Sequence, residues 1–78
     1  MTNTLYLEEL IKDAGLKKSF FAEKCGITLQ TFTNKMTNKS EFTASEIKII
    51  SDILKLTPKQ IKIIFFADDV HTELDKGD

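Results

Sequence analysis

Apolar residues recur at helical spacing in successive stretches of this chain. Leu7, Leu10, Ile11 and Ala14 fall at i, i+3, i+4 and i+7, which makes one apolar stripe on a helix of 3.6 residues per turn. The stripe predicts a first helix over about 5–14, ended by Gly15, with Leu16 packing down behind it. A second helix over about 18–25 turns Phe21, Ala22 and Cys25 inward, and a third over about 28–36 sets Phe32 and Met36 one turn apart on its inner face. Residues 37–42 read as a polar loop anchored by Phe42. A fourth helix over 44–54 directs Ile47, Ile50, Ile53 and Leu54 to the core, and a fifth over 58–65 adds Ile61, Ile64 and Phe65. The predicted class is all-α.

Polar punctuation agrees with these boundaries. Thr43-Ala44-Ser45-Glu46 is a capping box, in which the Thr hydroxyl and the Glu carboxylate each satisfy a free N–H of the first turn. Thr57-Pro58-Lys59-Gln60 is a second one, with Pro at the first helical position. The most informative stretch lies earlier, from Lys18 to Phe32. Ala22 is small enough for two helices to cross closely, and Gly26 can take the left-handed backbone of a sharp turn. Ile27 plugs the core, Thr28 can cap the next helix, and Phe32 returns to the core side. A small residue, a glycine, an apolar plug, a hydroxyl cap and an apolar anchor in that order mark a helix-turn-helix.

At 78 residues, one domain is expected, near the size where a single core only just outweighs chain entropy. The 41% hydrophobic content, with six Phe, excludes a disordered chain. Apolar runs are too short for a membrane span, the first residues lack a signal-peptide pattern, and the one cysteine fits a reducing cytoplasm. The net charge of −1 argues against nucleic acid until its distribution is considered. Residues 17–39 hold five Lys against one Glu, whereas both flanks are net negative. All eleven basic residues are Lys, which bind phosphate as point charges but lack the fork that reads guanine bidentately. Residues 67–78 carry five acids against one Lys and read as an extended acidic tail following a DNA-binding domain over 1–66.

Five short helices with the second and third as helix-turn-helix resemble the lambda repressor/Cro-like (XRE) fold, over roughly Leu5 to Phe66. The stretch Asn34-Lys35-Met36-Thr37-Asn38-Lys39-Ser40-Glu41-Phe42-Thr43-Ala44-Ser45-Glu46-Ile47 is similar to small regulators encoded by phages and prophages of Gram-positive bacteria. Ile64-Phe65-Phe66-Ala67 is similar to the same group. The resemblance implies operator binding near a phage lysogeny switch, usually as a homodimer. It lays Lys18 on a phosphate-contacting position usually held by Gln. It lays Thr28, Leu29, Gln30, Thr33 and Asn34 on the outer positions of the recognition helix. Three positions depart from the pattern. Lys17 stands where an N-cap Ser or Thr is usual, and Leu29 replaces a commonly polar residue. Lys35 stands where many members have an apolar core residue, so Met36 is expected to take over that packing while Lys35 turns toward phosphate.

Base contacts are therefore expected from Thr28, Leu29, Gln30, Thr33 and Asn34. Gln30 and Asn34, at i and i+4, share a face. Their amides donate and accept at once, which matches the adenine edge in the major groove. Leu29 either presses on a thymine methyl or packs against Lys18 and the second helix. Phosphate contacts are expected from Lys17, Lys18, Lys35, Asn38 and Lys39, with Ser40 as a further donor, because the backbone flanks the groove. The bland alternative for all of these is a solvated helix face. Cys25 reads as an inert core thiol, His71 as a solvated residue, and the tail acids as solubilising. Phe20 stands at a usually exposed position of the second helix, and Phe65 and Phe66 end the fifth as an aromatic pair. One of each group is expected in the core, and the surplus apolar surface suggests a self-association or partner patch, or a folded-back tail.

No nucleophile with a paired base, phosphate-cradling glycine loop or metal-ligand set is legible, so neither an enzyme nor a cofactor is expected. Double-stranded DNA is the expected partner. The rivals are an antirepressor that uses the same fold to bind a repressor protein, and a structural subunit that keeps the motif only as scaffold.

Overall fold

The computed structural model describes residues 1–66. In chain order, these form α1 (Thr4–Asp13), α2 (Lys18–Cys25), α3 (Leu29–Met36), α4 (Ala44–Leu54) and α5 (Pro58–Phe65), with no strand among the described residues. Each helix falls within a residue or so of the span its periodicity predicts. Ala14 is the exception on α1. It stands just past the last helical turn, exposed, and so does not join the Leu7–Ile11 stripe.

Turn chemistry explains the boundaries. Thr28, Thr43 and Thr57 each accept a hydrogen bond from the backbone N–H three residues on, and both predicted capping boxes form. Four helices end alike, each with a residue in left-handed backbone: Gly15 after α1, Gly26 after α2, Asn38 after α3 and Lys55 after α4. The next residue's N–H then reaches back five positions, as from Ile27 to the Ala22 carbonyl at 3.0 Å and from Lys39 to that of Asn34 at 2.8 Å. This closing turn satisfies carbonyls that a helix end leaves open.

The core is a file of phenylalanine rings. Phe20 meets Phe21 at 5.9 Å between centroids, Phe21 meets Phe32 at 6.2 Å, Phe32 meets Phe42 at 5.7 Å, and Phe42 meets Phe65 at 5.6 Å. Three of these contacts are edge-to-face, the arrangement that the ring quadrupole favours. The file links α2, α3, the following loop and α5. Leu7, Ile11, Ala22, Met36, Ile50 and Ile64 complete the buried set. Ile27 and Cys25 are only half-buried, packed against its edge. Of the aromatic pair at the end of α5, Phe65 is the core member, as expected, and Phe66 is 44% exposed. The acidic tail and His71 lie outside the described residues.

Helix α1 runs against α5, and the segment before it is held at two points. The Asn3 N–H donates to the Ile64 carbonyl at 2.6 Å. The Asn38 side chain takes the Thr2 N–H on Oδ1 at 3.0 Å and returns a hydrogen bond from Nδ2 to the Thr2 carbonyl at 3.1 Å. Thr2 is buried as a result. A strap thus runs from the end of α5 to the loop that follows α3.

Candidate nucleic-acid interface

The unit to be positioned is α3. It follows α2 across the Gly26 turn, and α2 supplies its main packing surface. Phe32 and Met36 hold its inner face. At 3.6 residues per turn, Gln30, Thr33 and Asn34 must then lie on the outer side. Gln30 and Thr33 are exposed and Asn34 is partly so. Gln30 Nε2 donates to Asn34 Oδ1 at 3.0 Å, which aligns the two amides along the outer face. Each amide keeps further donor capacity, and Gln30 keeps its carbonyl oxygen.

Leu29 opens the helix at 50% exposure. Thr28 has a different task. Its hydroxyl oxygen accepts the Thr31 N–H at 3.1 Å, and the hydroxyl donates to Thr31 Oγ1 at 2.9 Å. That commits the group to capping α3.

The lysines divide by environment. Lys17 and Lys39 are exposed at opposite ends of the motif, with Ser40 exposed beside Lys39. Lys18 is exposed but ion-paired with Glu8 of α1. Lys24 lies over the Phe20 ring, 5.4 Å from its centroid, and so covers an aromatic that would otherwise meet water.

Lys35 corrects the sequence reading. It does not turn outward; it is 8% exposed, and its ammonium meets Glu46 Oε1 of α4 at 2.5 Å. Both Lys35 and Met36 therefore point inward. The reason is a partner eleven residues away, whose role in the capping box is local and legible but whose second role is not. Burial works against ionisation of Glu46, but the hydrogen bonds and charge of Lys35 and the Thr43 N–H outweigh it and hold the carboxyl below its ordinary range. Nearby, burial and the Glu46 charge push the Cys25 thiol up, against the opposing pull of Lys35, so the thiol stays protonated. Asn38 is a second correction: both ends of its amide bind the Thr2 backbone, which leaves it committed to the strap rather than to phosphate.

The strap itself and the second role of Glu46 were not read from sequence. The one hint to the strap was an Asn in the polar loop, a residue type that tolerates left-handed backbone. Among the described residues, no helix is long and apolar enough to cross a membrane, and no cluster of three metal-ligating side chains occurs.

Five helices, a Gly26 turn and an outward amide face on α3 define a helix-turn-helix protein. The sequence matches the Cro/C1-type HTH DNA-binding domain family over residues 6–66, and the chain belongs to that family. Neither the curated proteins nor the solved structures gave a match.

Proposed function

We propose that this protein is a sequence-specific, DNA-binding transcriptional regulator of phage type. It acts in the cytoplasm as a homodimer and inserts α3 into the major groove of an operator. The observation that carries this reading is the outer face of α3, where Gln30 and Thr33 are exposed and Asn34 partly so, while the capping and core duties fall to other residues. Gln30 and Asn34 read an adenine edge, Thr33 adds a hydroxyl or methyl contact, and Leu29 meets a thymine methyl. Lys17, Lys18 and Lys39 hold the flanking phosphates. Residues 67–78 follow this domain as an acidic, solubilising tail.

A salt-dependent gel shift against the intergenic DNA next to the gene tests the proposal. A discrete complex that survives competitor DNA and weakens as salt rises is expected. No complex at low salt overturns it.

A second reading has its own support. With Lys35 buried, the positive edge is thinner than its sequence suggests, and Leu5 and Phe66 remain exposed near the strap. Those features suit an antirepressor that binds a repressor protein through apolar contacts. A pull-down with a repressor encoded by the same genome, in the absence of DNA, separates the two.

A further inference from the structure

We infer that the Lys35–Glu46 ion pair positions the reading helix, so that it sets base discrimination rather than stability. This rests on the DNA-reading role proposed above for α3.

Phe32 and Met36, at i and i+4, form one line of apolar anchors along α3. A two-turn helix held along a line resists lifting but not rolling about its own axis. At the ~5–6 Å outer radius of a helix, a roll of about ten degrees moves a side chain about 1 Å. Gln30 and Asn34 lie opposite the anchors, so such a roll would carry both amides across the groove.

Lys35 lies on the other side of Phe32 from Met36 and reaches α4 directly. Its ion pair is directional, at 2.5 Å, and its partner is itself fixed. The same Glu46 Oε1 accepts the Thr43 N–H at 2.8 Å, and Thr43 Oγ1 accepts the Glu46 N–H at 3.2 Å. The carboxylate belongs to the α4 cap and cannot follow Lys35. A roll of α3 therefore breaks the pair or the cap. Stability is not what the pair adds, because two charges have been taken out of water, and an apolar side chain of similar volume fills such a place at least as well.

The test uses the full chain carrying Lys35→Met with Glu46→Gln. Methionine fills the lysine's volume, and glutamine keeps the capping box. Wild type first selects a duplex from a random-sequence library. Both proteins are then compared on that duplex and on a scrambled one. The double variant should melt at or above the wild-type temperature. Its selected-to-scrambled affinity ratio should fall about tenfold, comparable to the loss of one base contact. Its affinity for scrambled DNA should hold. In the DNA-free proteins, residual dipolar couplings should report α3 rotated relative to α4 or averaged over several orientations. Lys35→Met alone should show the same fall in the ratio and the same change in the couplings, because Glu46 keeps the capping-box hydrogen bonds of α4 when Lys35 is gone. It decides the matter if the double variant does not fold. An unchanged ratio, or unchanged couplings, overturns the inference. If wild type selects no sequence, DNA reading itself has failed, and the couplings alone decide whether the pair orients α3.

Discussion

Phe32 and Gln30 stand two places apart on α3 and do opposite work. Phe32 is fully buried between two other rings, so Phe32→Ala should cost about 3–5 kcal/mol in a denaturant titration. A cost below about 1 kcal/mol would mean the ring file contributes little. Gln30 is exposed on the outer face, so Gln30→Ala should leave the melting curve nearly unchanged and weaken the selected duplex by about 1–3 kcal/mol, with looser base preference. Equal binding by wild type and variant would move the reading surface off α3. The core face was legible residue by residue because helical spacing alone sorts inside from outside. Lys35 was not, since a lysine on an inner face reads as misplaced until its partner is known. Asn38 was missed for a similar reason: the group that claims its amide lies 36 residues away.

Helix ends show which local signals carry information. Threonine caps and capping boxes were readable because every participant lies within one turn. The glycines at 15 and 26 announced their turns. Lys55 did not, because a lysine gives no sign of left-handed backbone, yet it sits at φ 54°. That conformation is disfavoured by roughly 1–2 kcal/mol for a side-chain-bearing residue. Lys55→Gly should therefore stabilise the protein by up to about 1 kcal/mol, after allowing for the greater freedom of glycine in the unfolded chain. Gly26→Ala should do the reverse by up to about 1 kcal/mol. A Cβ there meets no atom within 4 Å, so the cost is backbone strain, partly offset by the smaller freedom of alanine in the unfolded chain. Thermal melts of the two variants shifting in the same direction would contradict this account.

For the whole molecule, electrostatics gives two further expectations. With Lys35 withdrawn, the proposed interface keeps about three lysines per protomer for phosphate, or about six if the protein binds as a dimer, and counterion release then predicts a log–log salt slope near −5. A slope near −3 would indicate a monomer on DNA. The +4 excess between residues 17 and 39 was legible in the sequence. How much of it faces solvent was not, because burial depends on how α3 and α4 come together. The second expectation concerns acid. Glu46 has a folded-state pKa below its ordinary value, so the ionised carboxyl stabilises the fold relative to the protonated one, in full above the usual glutamate range. It is lost as pH falls through the depressed folded value. The stability gap between wild type and Glu46→Gln should therefore be constant near neutrality and move toward the variant's favour below that range. A gap that does not change with acid would remove the charge from the account.

The strap bears on how this protein is handled at the bench. Thr2 is buried, and its backbone is tied to the residue that closes α3. Any change that draws Thr2 out of its seat pulls on the same loop that carries Lys39. Protein altered in that way would report on a displaced edge of the proposed DNA-binding surface. Preparations in which Thr2 stays seated against Asn38 are the ones whose binding constants describe this loop as it stands.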